Sequence, residues 1–118
     1  MRVLVLPLLL VVILIVGAAV AQPGFRVTHE VGRTTPTHVE VKGVVYNESR
    51  SDAADVSVTA EALDANGKVL ARGITYVSGR LPERGSAVFT AKVPVVPGIA
   101  SYRVTVTSFK FMPAFQGS

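Results

Sequence analysis

The residues with the most obvious chemistry are His29, Glu30, His38 and Glu40, two histidines each close to a glutamate. If the segments carrying them paired as strands, the four could approach one another as ligands for a borderline metal. Adjacent residues on a strand point to opposite faces, so His29 and Glu30 cannot share a site without distortion. None of these pairs has the spacing of a strong metal motif, and they read as surface side chains. Nucleophilic chemistry is no better served. The chain has no cysteine, no serine in a Gly-x-Ser-x-Gly elbow and no glycine-rich phosphate loop. A Ser57, His38 and Asp64 set would be an arbitrary choice, and Asp52 and Asp55 fall in a polar turn where solvation accounts for them. These observations argue for a chain that is not an enzyme and uses no cofactor or metal.

Two other groups carry interaction chemistry. Asn47-Glu48-Ser49 fits the N-glycosylation pattern, but its simpler reading is a turn-forming asparagine that ends a strand. Phe109, Phe111 and Phe115 cluster near the C-terminus. Phe109 and Phe111 either pack the end of the fold or form a partly exposed aromatic strip that meets a protein partner.

The elements that hold these residues begin after a distinct N-terminal stretch. Arg2 precedes an apolar run from Val3 to Val16, and Ala19-Val20-Ala21 has the small-x-small form that signal peptidase recognises. Cleavage between Ala21 and Gln22 is the expectation. The alternative is a retained membrane anchor, because Val3 to Ala21 comes close to the ~20 residues of a spanning helix. No cysteine stands after it for a lipid anchor. Arg2 is the only charge in residues 1–21, so the formal net charge of +4 becomes +3 without it. The remaining charges are scattered singly, which argues against a nucleic-acid groove. The chain beyond residue 21 is enough for one domain, stabilised by packing and strand pairing rather than cross-links.

That domain reads as strands throughout, with no helical apolar period. Phe25 to Val31 alternates, Gly32 to Thr37 is a loop, and His38 to Asn47 is a second strand. In that strand Val39, Val41 and Val45 share a face, with Gly43 as a bulge or close-packing point. The central feature is a hairpin from Ala54 to Val77. Val56, Val58, Ala60 and Ala62 alternate with polar residues before a turn at Asp64-Ala65-Asn66-Gly67. A two-residue turn would put Ala65 opposite Lys68; a three-residue loop puts Asp64 there and brings Leu70, Ile74 and Tyr76 opposite Ala62, Val58 and Val56. The second gathers the apolar residues, so it is the expected register, with Gly67 at positive φ. Its flaw is Arg72 opposite Ala60, beside Gly73 as a candidate second bulge. Ser78 to Gly85 reads as a loop, Ser86 to Val93 as a strand, and Ala100 to Phe109 as the last strand. Six strands at such spacing point to a two-sheet sandwich.

With the strands placed, the chain resembles the FxLYD domain family. The resemblance rests on Val39 to Ser49, on Val56-Ser57-Val58, on Asp64 to Leu70, on Leu81 to Gly85 and on Phe89, in the family's order and spacing. The naming motif itself departs: its Phe, Leu and Tyr correspond to Ala60, Ala62 and Leu63, and Asp64 alone matches. The resemblance implies an exported immunoglobulin-like sandwich with no assigned catalytic residue.

The expectation is therefore all-β: an immunoglobulin-like antiparallel β-sandwich of about six to seven strands behind an N-terminal hydrophobic signal helix. Residues 1–21 are the signal peptide, 22–112 the FxLYD-like domain and 113–118 a tail. The protein is expected to be periplasmic or secreted, a non-enzymatic binding or structural module of the cell envelope. The alternative is a membrane-anchored accessory subunit that retains residues 1–21. The expected contact is a protein strand docking along the last strand between Ser108 and Met112, with Phe109 or Phe111 as the anchor; no nucleic acid is involved.

Overall fold

The computed structural model describes residues 24–113. The expected signal segment with its Ala21–Gln22 cleavage point, Phe115 and all of the tail after Pro113 lie outside the described residues. Among the described residues there is no helix. Six strands run in order: β1 (Phe25–Thr34), β2 (His38–Asn47), β3 (Ala53–Leu63), β4 (Val69–Leu81), β5 (Ser86–Pro94) and β6 (Ser101–Phe111). They form two antiparallel three-stranded sheets, ordered β1-β2-β5 and β4-β3-β6.

The period-2 alternation explains which side of each strand is inside. Val39, Val41 and Val45 of β2 face Val56, Val58, Ala60 and Ala62 of β3 in one apolar core. Phe89, Ala91 and Val93 of β5 join them, with Val104 and Val106 of β6. The β3 contribution to this core is small and smooth, two valines and, with Ala53, three alanines. Each fully buried valine contributes about 1.5–3 kcal/mol of transfer free energy.

Two glycines allow the backbones to come closer than a Cβ would permit. At Gly43 a Cβ would collide with the Thr28 carbonyl oxygen and stand 2.8 Å from the Phe89 ring. The β1–β2 and β2–β5 pairings run unbroken through this residue, so Gly43 is a close-packing point and not a bulge. At Gly73 a Cβ would collide with the Lys92 carbonyl oxygen of β5. The edges of the two sheets therefore touch on the β4–β5 side. Across the other side, β1 and β6 meet chiefly through their aromatic ends.

The central hairpin forms as expected at its tip and differs beyond it. The Gly67 amide donates to Asp64 O at 3.0 Å, the Asp64 amide donates to Lys68 O at 2.9 Å, and Gly67 has φ +84°. Asp64 Oδ1 also accepts the amides of Asn66 and Lys68, both at 2.8 Å. Leu63 then pairs with Val69 and Ala62 with Ala71, so Leu70 is an extra, unpaired residue. This bulge moves the whole strand by one position. Ile74 and Tyr76 turn outward, 69% and 60% exposed, instead of facing Val58 and Val56. Arg72 lands opposite Glu61 rather than Ala60. The second bulge lies at Val77, between the Val56–Ser78 and Ser57–Tyr76 pairs, and not at Gly73.

Two expected loops are shorter than the sequence suggested. β1 continues through Gly32 to Thr34 by means of a register shift after Val31. β4 continues to Leu81, which is buried opposite Ala53 where a loop was expected.

Candidate functional site

One end of the molecule gathers both limits of the described chain. The Glu48 amide donates to Gly24 O at 2.8 Å, the Asn47 amide to Gly85 O at 2.8 Å, and the Met112 amide to Asp52 O at 2.8 Å. The start of β1, the end of β6 and the loops 48–52 and 82–85 are thus tied together.

Asn47 organises this end. It is 1% exposed, and its Nδ2 donates to Ser51 O at 2.8 Å and Leu81 O at 3.0 Å. Its Oδ1 accepts the Ser49 amide at 3.0 Å and the Ser49 hydroxyl at 2.7 Å. The glycosylation-like triplet is therefore a folded turn, and both amide protons a glycan transferase would need are engaged in the interior. Asp52 is not simply solvated as the sequence suggested. It accepts the Glu83 amide at 3.0 Å and holds Arg80 through Nη2 at 2.6 Å and Nε at 3.0 Å. The Glu83 hydrogen bond and then Arg80 hold its carboxyl below the ordinary range.

Against this frame stand three phenylalanines. Phe25 is buried, and Phe109 packs edge-on against it with ring centres 4.8 Å apart. Phe111 stacks on Phe25 at 5.8 Å and meets Phe109 edge-on at 4.9 Å. Such pairs contribute about 0.5–1.5 kcal/mol each beyond burial. Phe109 and Phe111 nonetheless remain 37% and 43% exposed. Both lean on Phe25 from the edge strand β6, so neither simply points away from the fold. Phe25 is the member that sequence reasoning missed; its alternation marked it as core, and only the folding of β1 beside β6 brings it under the other two. Gly24, at φ +88°, is equally close: a Cβ there would stand 3.0 Å from the Phe111 ring.

The segments that close this end are rich in charge. Residues 24–26, 48–52, 80–85 and 108–112 hold five cations, Arg26, Arg50, Arg80, Arg84 and Lys110, and three carboxylates, Glu48, Asp52 and Glu83. Arg26 pairs with Glu48 at 3.0 Å and lies 3.9 Å over the Tyr46 ring. Arg80 pairs with Asp52. Arg50, Arg84 and Lys110 are exposed and outside these pairs.

The other sequence candidates are dispersed. His29 pairs with Gly43 and His38 begins β2 five positions earlier, about 17 Å along the strand at ~3.4 Å per residue. His38 Nδ1 lies 3.2 Å from the hydroxyls of Thr35 and Thr37, where it organises the β1–β2 turn. Among the described residues no cluster of three or more metal-ligating side chains occurs. A shallow depression between β1 and β2 is lined by Thr28, His29, Glu30, Lys42, Gly43 and Val44. Ser57 lies within β3 and Asp64 just beyond its far end, so they do not join His38 in a catalytic set.

Comparison with known proteins gives no relative: no family model, no curated protein and no solved structure matches this chain.

Proposed function

We infer that this chain is an exported, non-enzymatic β-sandwich module that serves the cell envelope through a binding or structural surface. The carrying observation is the exposed Phe109–Phe111 pair on edge strand β6, seated on buried Phe25. Contiguous exposed apolar groups rimmed by polar residues are found at interaction surfaces, and this aromatic pair supports such a reading. The strand order supports an immunoglobulin-like reading: β1-β2-β5 and β4-β3-β6 correspond to strands A-B-E and C′-C-F of that sandwich. The resemblance to FxLYD domains points the same way.

Within this reading residues 1–21 direct export, and release leaves a chain beginning at Gln22. The second reading, in which residues 1–21 stay as an anchor, draws on one observation. The described chain starts at Gly24, directly against Phe111, so whatever precedes Gly24 is joined to the domain beside the exposed aromatics. Fractionation of an expressing bacterium with intact-mass measurement tests both. Export with a mass starting at Gln22 supports release, and export with Met1 present supports the anchor. Retention in the cytoplasm overturns the proposal.

A further inference from the structure

We propose that the Phe25, Phe109 and Phe111 end of the domain is a foot that rests on the lipid interface of the bilayer holding residues 3–21. The inference builds on the anchored reading and names what its exposed end touches.

Three observations converge on lipid rather than on a protein strand. The first is distance. Ala21 closes the apolar run, and three residues span at most roughly 10 Å, so an embedded run brings Gly24 within that reach of the membrane surface. Gly24 packs against Phe111, and the foot comes with it. The second is the shape of the apolar group. Phe109 and Phe111 are half-exposed rings braced from behind by Phe25, able to enter the headgroup boundary without unfolding the core. The third is charge. The segments that close this end carry Arg50, Arg84 and Lys110 outside its ion pairs against one such carboxylate, Glu83, and this positive balance suits anionic headgroups. Cations spread over three separate segments match a layer of headgroups better than one extended peptide.

The absence of cysteine makes the test direct. The full 118-residue chain, carrying Lys110→Cys or Ala65→Cys with an environment-sensitive fluorophore, is reconstituted in phosphatidylcholine vesicles with and without phosphatidylglycerol. Spin-labelled lipid is the quencher. The expected result is several-fold stronger quenching and a blue shift at position 110, with position 65 behaving as in water. Phe109→Ser with Phe111→Ser should reduce that quenching while the chain still floats with the vesicles. Because those rings pack on Phe25, Arg50→Glu with Arg84→Glu provides a variant that leaves the core alone; it should remove the gain that phosphatidylglycerol brings. Equal emission at positions 110 and 65 overturns the foot. Efficient crosslinking between two copies through position 110, without quenching, also overturns it and assigns the edge to a second chain. Intact mass of chain recovered from an envelope fraction separates the failures. Loss of residues 1–21 overturns the anchored reading, whereas retained residues with an unquenched probe overturn the foot alone.

Discussion

The carbonyl oxygen of Lys92 occupies the space where a side chain at Gly73 would begin. Through this one approach the β4 edge of one sheet is laid against the β5 edge of the other. The obstacle is backbone, which cannot rotate aside as a long side chain would. Gly73→Ala should therefore force the sheet edges apart and destabilise the domain by about 1–3 kcal/mol, the scale of overpacking. Urea melts followed by circular dichroism measure it. An unchanged midpoint would mean the edges do not touch.

Gly67 isolates the opposite effect. No atom lies within 4 Å of a Cβ placed there, but φ is +84°. Gly67→Val should cost about 1–3 kcal/mol through backbone strain alone. Gly67→Asn should cost less, since asparagine enters the left-handed region more readily. Equal urea midpoints for the two variants would count against this turn geometry.

Asn47 should behave as a structural residue. Asn47→Ala removes two donors and leaves the Leu81 and Ser51 carbonyls, the former buried, without those partners. A loss of about 1–3 kcal/mol is expected, the range for buried groups left unsatisfied. Expression in a glycosylating host should give a mass with no glycan at this position. A glycosylated, normally stable product would contradict the buried turn.

Asp52 gives the domain an acid-sensitive joint. Its folded-state pKa lies below the ordinary aspartate value of 3.8, with the Glu83 amide the first cause and Arg80 the next. A carboxylate with a depressed folded pKa contributes stability above its unfolded pKa. That contribution is lost as pH falls through the folded value. Thermal midpoints should fall as pH drops from neutral to below 3.8. Asp52→Asn should show a shallower fall at the cost of a lower midpoint at neutral pH. Parallel pH curves for the two proteins would remove Asp52 from this role.

Most of the architecture was legible because burial imposes alternation strand by strand. Val39, Val41 and Val45, the Val56–Ala62 set and the Phe89–Val93 set all face inward as their spacing required. The tip of the hairpin was legible too, because Asp64 and Gly67 are chemically suited to one turn. The register beyond it was not. A bulge at Leu70 leaves no compositional mark, and the competing register also gathered apolar residues. The pair that decides it, Glu61 opposite Arg72, becomes meaningful only when Arg103 arrives from β6. Arg103 holds Glu61 Oε1 at 2.6 and 2.9 Å, while Arg72 sits 3.5 Å from Oε2. The aromatic end shows the same limit. Phe109 and Phe111 could be picked out from the sequence, but Phe25 lies far from them along the chain and joins them only through the tertiary fold.

The shared end of β1 and β6 also fixes how the domain would answer to force. Gly24 and Met112, near the two limits of the described residues, lie at the same end, each held by a hydrogen bond to the same 48–52 loop. A load applied across these two points would act on the same end of both sheets, drawing β1 away from β2 and β6 away from β3 starting at the aromatic end. In a longer tethered assembly this unit would be a pendant on the line and not a link within it. Its far turn at Asp64–Lys68 would swing free whatever the two attachment points are joined to.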